Sequence, residues 1–202
     1  MEIERQKLDM SKLESYVRLY DNVFKEETLD VFLKICNSNH FHYEGAKVLT
    51  PNGGQSLDTD IRNVKSMGLS NLYSKSLTTA HWASLLLNKF TSGIKTYITD
   101  LNMDNFGCRI NDIQVLKYVP GGHYKFHIDD NTNIHRVLSL IYFVNDDYEG
   151  GDLVFKLIGT EEVLKVEKKK NRLIIWPSNF MYPHSVTPVL KGIRYSVVAW
   201  AS

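Results

Sequence analysis

Tyr118-Val119-Pro120-Gly121-Gly122-His123-Tyr124-Lys125-Phe126-His127-Ile128-Asp129 is the stretch on which the reading of this chain turns. Pro120-Gly121-Gly122 marks a turn, and the residues on either side of it suit strands. Along a strand, residues i and i+2 point to the same face, so His127 and Asp129 can reach one metal together. One imidazole and one carboxylate fill two corners of a coordination shell, and a third ligand must come from elsewhere. His184 supplies it, in Met181-Tyr182-Pro183-His184-Ser185-Val186, opening what reads as the penultimate strand.

Outward from this stretch the chain changes character near residue 112. After it, Ile113 to Val119, Val137 to Asn145, Asp152 to Leu157, Arg172 to Trp176 and Ile193 to Trp200 are rich in β-branched and aromatic residues. Turn signals separate them at Asn145-Asp146-Asp147, Gly150-Gly151 and Lys191-Gly192. Short strands at such spacing predict a sandwich or barrel. Before residue 112 helices dominate. Phe24, Leu29, Phe32, Leu33 and Cys36 recur at helical spacing over Lys25 to Cys36, and Trp82, Leu85, Leu86, Phe90, Ile94 and Ile98 mark one side of a helix from about Thr79 to Leu101. Between them Leu49 to Ser66, with Pro51, Gly53 and Gly54, reads as a long loop of the kind that forms lids. The expected fold is α+β, a double-stranded β-helix (jelly-roll) core over 112–202, buttressed by N-terminal helices and carrying a lid loop in 1–111. The 202 residues suit one domain.

Composition narrows the function classes. Lys+Arg number 24 and Asp+Glu 23, so the basic excess expected of a nucleic-acid binder is missing. Two cysteines, Cys36 and Cys108, are too few for a disulfide framework and point to a reducing compartment. The opening MEIERQKLDM lacks the apolar core of a signal peptide, and no apolar run approaches the roughly 20 residues of a membrane span. A cytoplasmic protein is expected, without a nucleic-acid or membrane partner. Lys165 to Arg172, with three consecutive lysines, reads as a solvated hairpin turn.

Arg194 stands ten residues past His184. A short turn between them would return the chain as a neighbouring strand with Arg194 facing the same cavity. A guanidinium inside a barrel is costly without an anionic partner, and a dicarboxylate cofactor would provide one through a bidentate ion pair. Alternation puts Arg194, Ser196, Val198 and Trp200 on one face. Two histidines and a carboxylate on one side of an octahedron leave open positions, an arrangement suited to non-haem Fe(II) oxygenases.

With these residues in place, the chain resembles the 2-oxoglutarate and Fe(II)-dependent oxygenases, especially the prolyl 4-hydroxylase-like branch. The resemblance rests on His127 with Asp129, His184, Arg194, the Tyr118-Val119-Pro120-Gly121 approach, Gly150-Gly151-Asp152-Leu153-Val154-Phe155 and Leu173-Ile174-Ile175-Trp176-Pro177-Ser178. Tyr20-Asp21-Asn22-Val23-Phe24 followed by a helix is similar to that family's opening. It implies Fe(II) held by His127, Asp129 and His184, with 2-oxoglutarate bound by Arg194 and Tyr118. It also implies dioxygen as co-substrate, succinate and CO2 as products, and ascorbate as a support of activity. Arg136 and Trp200 match positions that face a peptide substrate, so a peptidyl proline is the expected target. Phe143 stands where many prolyl hydroxylases have a tyrosine on the far carboxylate of 2-oxoglutarate. The chain also stops at Ser202, where some plant-type members continue to a substrate-binding histidine. Competing readings are the same chemistry on another side chain, a free amino acid or a nucleobase, a zinc hydrolase using the same ligands, and a metal-free β-barrel binding module.

Overall fold

Side-chain alternation and burial together dictate the architecture. In Leu138–Phe143, Arg172–Pro177 and Arg194–Ala201 nearly every residue is buried, which a strand achieves only when its sheet is covered on both faces. The computed structural model describes residues 10–49, 54–69, 76–103, 106–131 and 134–202. A 3-10 turn at Met10–Tyr16 leads into β1 (Arg18–Asp21) and helix α1 (Glu26–Asn37). Short strands follow as β2 (Glu44–Gly45), β3 (Val48–Leu49), β4 (Gln55–Ser56), β5 (Arg62–Asn63) and β6 (Lys65–Gly68), and then helix α2 (Leu77–Asp100). The remainder is β7 (Ile110–Tyr118), β8 (His123–His127), β9 (Leu138–Phe143), β10 (Glu149–Gly150), β11 (Leu153–Lys156) and β12 (Val163–Lys165). It closes with β13 (Arg172–Pro177), β14 (His184–Val186), β15 (Val189–Lys191) and β16 (Arg194–Ala201).

A seven-stranded antiparallel sheet runs β1-β13-β9-β16-β7-β6-β2 and faces a five-stranded sheet ordered β12-β11-β14-β8-β5. This is the double-stranded jelly-roll expected. One core lies between the large sheet and the helices, where Leu140, Tyr142, Leu173, Ile175, Val197 and Ala199 meet Leu29, Phe32, Leu86, Phe90 and Ile94. The other fills the space between the sheets with the alternate residues of the same strands, Ile141, Phe143, Ile174, Trp176, Val198 and Trp200. Helix α2 starts at Ser76, whose hydroxyl accepts from the Thr79 N–H, and it approaches the sheet so closely at Gly93 that a Cβ there would lie 2.7 Å from Leu173 Cδ2.

Two expectations need correction, and the N-terminal half, dominated by its helices as expected, also adds strands, with β1 and β6 extending the large sheet and β5 the small one. The long loop of Leu49 to Ser66 contains a hairpin of β3 on β4, then β5 and the start of β6; residues 50–53 lie outside the described residues. Long-range strand partners override the Pro and Gly signals there, because pairing depends on what lies opposite. The lysine run is not a simple solvated turn. Lys169 and Arg172 pair with Asp21, Lys170 with Glu26 and Asp30, and Lys168 is half-buried against backbone carbonyls.

Asn171, beside that run, joins helix α1 to the sheet. It adopts a φ of 68° and is buried. Its side-chain oxygen accepts from the Phe24 N–H and the Tyr142 hydroxyl, each at 3.0 Å, and its amide donates to the Phe24 carbonyl at 2.8 Å. Asn171→Ala leaves those buried groups unpaired, each worth about 1–3 kcal/mol. Chemical denaturation should therefore show a loss of about 3 kcal/mol or more. Asn171→Gly, which tolerates the positive φ, should remain nearly as unstable; recovery in the glycine variant would assign the effect to backbone conformation instead.

Candidate metal centre and anion pocket

Strands β8 and β14 are neighbours in the small sheet, and His127 sits directly opposite His184. Their imidazole centres are 4.3 Å apart. Asp129 lies two residues past the end of β8, where the chain turns inward, and is buried. Its Oδ1 is 3.6 Å from His127 Nε2 and its Oδ2 is 3.4 Å from His184 Nε2. One ligand atom from each residue falls within 4.8 Å of the others, the geometry of a three-ligand metal site.

The surroundings fix which atoms face inward. His127 Nδ1 lies 2.9 Å from the Lys125 carbonyl and His184 Nδ1 lies 3.1 Å from the Tyr182 carbonyl. A carbonyl only accepts, so each Nδ1 carries the proton and each Nε2 presents a lone pair. Burial, with the His127 imidazole adding to it against the pull of Asp129, pushes the His184 pKa down to about 4. His184 is thus neutral and able to ligate near pH 7. Burial raises the Asp129 pKa, yet the two imidazoles and the Ser139 hydroxyl outweigh it and hold the carboxyl far below the ordinary range. Ser139 Oγ donates to Asp129 Oδ2 at 2.7 Å and lies 2.7 Å from Ser178 Oγ. Donor set, orientation and charge fit a divalent cation such as Fe(II).

A bulge shapes the metal-facing side of β8. Val186 pairs with Tyr124 while His184 pairs with His127, so three steps on β8 oppose two on β14. The extra residue brings Tyr124 and His127 to one face, where their rings stack at 3.5 Å with 17° between planes. Lys125 and Phe126 are left facing outward, Phe126 with 49% of its surface exposed. The Arg62 guanidinium covers the other side of Tyr124, 4.8 Å from the ring centre. From the barrel interior Trp176 meets His184 edge-on and Phe155 meets it tilted, at 40° between ring planes. Strict alternation would separate Tyr124 from His127, so Tyr124 and Arg62 were not readable as site residues from sequence.

Arg194 belongs to β16, in the opposite sheet. It is not on a strand neighbouring that of His184, as the sequence had suggested, and the β15 strand intervenes between the two along the chain. Alternation still turns Arg194 inward, where it is 0% exposed. Its Nη1 donates to Ser196 Oγ at 2.8 Å, and its guanidinium carbon lies 4.8 Å from the Tyr118 ring centre and 5.4 Å from that of Phe143. Its Nε and Nη2 have no hydrogen-bond partner among the described residues. Buried guanidinium donors rarely stay unpaired, and these fit an anion. Tyr118, against which Arg194 packs, also lines a small cavity of about 30 Å³ together with His127, Asp129 and His184.

Above the triad opens a cavity of about 730 Å³, lined among others by Arg62, Tyr124, His127, Asp129, Arg136 and Trp200. Arg136 and Trp200, expected on the substrate side, both face it. The Arg136 guanidinium stacks 3.9 Å from the Trp200 ring centre and donates Nη1 to the Asp129 carbonyl at 3.2 Å. Arg136 therefore braces the carboxylate ligand as well as lining the cavity.

Comparison with known proteins follows this geometry. Residues 113–202 match the family model of the 2OG-Fe(II) oxygenase superfamily. A PKHD-type hydroxylase of Synechococcus sp. (strain CC9902) is 33% identical over 97 residues, 46% of this chain and 41% of that protein. Another from Paracoccus denitrificans (strain Pd 1222) is 25% identical over 138 residues, 68% of this chain and 51% of that one. The chain thus matches about half or less of the length of these relatives. Among solved structures, a Trichoplax adhaerens prolyl hydroxylase in complex with a hypoxia inducible factor peptide fragment superposes with a TM-score of 0.71 at 18% identity, covering 95% of this chain and 86% of that one. A Pseudomonas putida prolyl-4-hydroxylase gives 0.67 at 16% identity, covering 95% of each chain. At these identities the likeness shows a shared fold.

The metal assignment has a direct consequence. His127→Ala, Asp129→Ala and His184→Ala should each remain folded yet lose Fe(II) affinity, read by anaerobic titration. Unchanged affinity in all three would remove the assignment.

Proposed function

We propose that this chain, a member of the 2OG-Fe(II) oxygenase superfamily through residues 113–202, is a 2-oxoglutarate-dependent dioxygenase that hydroxylates a peptidyl proline. The observation that carries the reading is the pairing of a two-histidine, one-carboxylate cluster with a fully buried arginine whose donors lack partners. When bound, Fe(II) with 2-oxoglutarate and dioxygen supplies the oxidising chemistry that turns C–H into C–OH with release of succinate and CO2. His127, Asp129 and His184 hold the metal, while Arg194 and Ser196 take the far carboxylate of 2-oxoglutarate beside Tyr118. The small cavity holds about 30 Å³, near one water's share, so lining side chains shift when the dicarboxylate enters. A zinc hydrolase or a metal-free binding module would leave the Arg194 donors without a purpose.

The wide cavity supports a polymeric substrate. Ile61, Ile128 and Ile134 are exposed at its lining, and Arg136 stacked on Trp200 forms a wall beside the metal. A wide, mixed lining that sets these apolar side chains among polar ones such as Gln114 and Asn131 suits an extended peptide, whose ring-bearing residue would rest against Trp200. The peptide in the Trichoplax adhaerens structure supports this reading by fold likeness. Residues 1–111 act with the barrel as one catalytic unit, ascorbate sustains turnover, and the free cysteines Cys36 and Cys108 suit the cytoplasm. Among the described residues no helix is long and apolar enough to cross a membrane.

Arg194→Ala removes one partner of a buried charge pair, at about 3–5 kcal/mol. At about 1.4 kcal/mol per tenfold, apparent 2-oxoglutarate affinity should fall by about two to three orders of magnitude with Fe(II) affinity nearly unchanged. Near-normal affinity for 2-oxoglutarate would sink the assignment. Arg194→Lys should keep part of the function, since the charge survives and the planar fork is lost.

Trp200→Ala should lose hydroxylation of proline-rich peptides while uncoupled succinate formation persists. Equal loss of both would place Trp200 with the co-substrate or the core.

A further inference from the structure

We propose that the Tyr148 hydroxyl is a second donor of the anion pocket, acting with Arg194 on the far carboxylate of 2-oxoglutarate. This rests on the reading of Arg194 given above. Tyr148 precedes β10 in the turn between β9 and β11 and is 5% exposed. Its hydroxyl is buried and has no hydrogen-bond partner among the described residues, the same condition as Nε and Nη2 of Arg194. Buried tyrosine hydroxyls are ordinarily paired. The tyrosine oxygen can accept from the neighbouring Arg194 guanidinium, but its own proton then still lacks an acceptor among the described residues; a carboxylate would take that proton and the remaining guanidinium donors together.

The fold places the two side chains together. Gly150 and Gly151 take φ values of 69° and 59°, turning the chain so that Tyr148 comes back over β16. A Cβ at Gly151 would lie 3.1 Å from Tyr148 Cε2 and 3.1 Å from Arg194 Cδ, so both side chains pack on the same glycine. Lys168 fixes the other side of the ring. Its ammonium lies 4.6 Å from the ring centre and donates to the carbonyls of Tyr148 at 2.8 Å and Gly150 at 3.1 Å. Burial raises the hydroxyl's pKa, with Arg194 pulling the other way, so the proton is retained and available to donate.

The remaining walls explain why such a donor is needed. Tyr118 and Phe143 present ring faces or edges to the guanidinium, and Ser196 already occupies Nη1. Phe143, paired opposite Ser196 on β9, has no polar atom to offer. A carboxylate accepts about four hydrogen bonds. Arg194 through Nε or Nη2, with Ser196 and Tyr148, can meet most of them in a pocket without water access.

The test uses the full chain loaded with Mn(II), free of oxygen, and calorimetric titration of two 2-oxo acids. One is 2-oxoglutarate; the other is 2-oxobutyrate, which has the same metal-chelating end and no far carboxylate. Tyr148→Phe should weaken 2-oxoglutarate binding roughly tenfold or more, the loss expected for a hydrogen bond to a charged group. It should leave 2-oxobutyrate and Mn(II) affinities unchanged. Adding Phe143→Tyr to Tyr148→Phe should restore part of the loss, because a hydroxyl then enters from the opposite wall. The proposal is overturned if Tyr148→Phe binds 2-oxoglutarate like the parent, if both 2-oxo acids weaken equally, or if the added tyrosine restores nothing. Arg194→Ala, run alongside, separates the two ideas. Loss in Arg194→Ala with none in Tyr148→Phe defeats only the role of Tyr148, whereas no loss in Arg194→Ala defeats the pocket itself.

Discussion

Three lone-pair donors aimed at one buried point are the feature around which this molecule is organised. His127 and His184 turn their Nε2 atoms toward the carboxylate of Asp129, and the backbone carbonyls behind each ring hold them there. Without a cation, an anionic carboxylate facing two unprotonated nitrogens is electrostatically poor, and with Asp129 and His184 buried, solvent relieves it little. The surrounding structure keeps it in place. Ser139 reaches from β9 of the large sheet to Asp129 Oδ2, Ser178 lies behind Ser139, and Arg136 holds the Asp129 carbonyl from the cavity side. The carboxylate is therefore a tie between the two sheets as well as a ligand, and the affinity for metal is built into the packing of the barrel.

The ligands were legible from sequence partly for a reason that does not hold. His127 and Asp129 read as sharing a strand face, but Asp129 lies beyond β8 and joins the two histidines through a turn. Spacing named the residues because both geometries bring positions i and i+2 to one point. The same rule misled at Tyr124. A bulge adds one residue between Tyr124 and His127 and puts both on the metal-facing side, and no residue type in His123–His127 announces it. Arg194 was legible because strand alternation survives whichever sheet the strand joins; its sheet was not, since a short strand, β15, lies between β14 and β16. Arg62 was invisible for a different reason. It sits in a Pro- and Gly-flanked segment whose strand pairing depends wholly on β8 lying opposite.

Two-sided burial explains why the N-terminal half must accompany the barrel. Tyr142, Leu173, Ile175 and Val197 present a large apolar face away from the metal, and α1 and α2 cover it. Left bare, such a face would invite association with other molecules. The charged run before β13 serves the same end. Lys169, Lys170 and Arg172 bind acidic groups of β1 and α1, while Asn171 takes both polar atoms of the Phe24 backbone unit. Exposed ion pairs contribute little individually. Asn171 and Arg172 are buried, so they fix the position of the helix relative to the strands that carry Ser139 and Phe143.

The two sheets consequently divide the chemistry. Histidine ligands come from the small sheet, where the strands are short and one is bulged; the proposed anion donors come from the large sheet and the turn over it. Arg194 pairs in register with Tyr118, and the β16–β7 ladder behind them runs to Ala201 without a shift until Trp200. A fully buried guanidinium on that ladder has little freedom, so its distance from the His127, Asp129 and His184 cluster is set largely by the separation of the sheets. Ile141, Ile174, Trp176 and Val198 fill the core between the sheets and so set that separation.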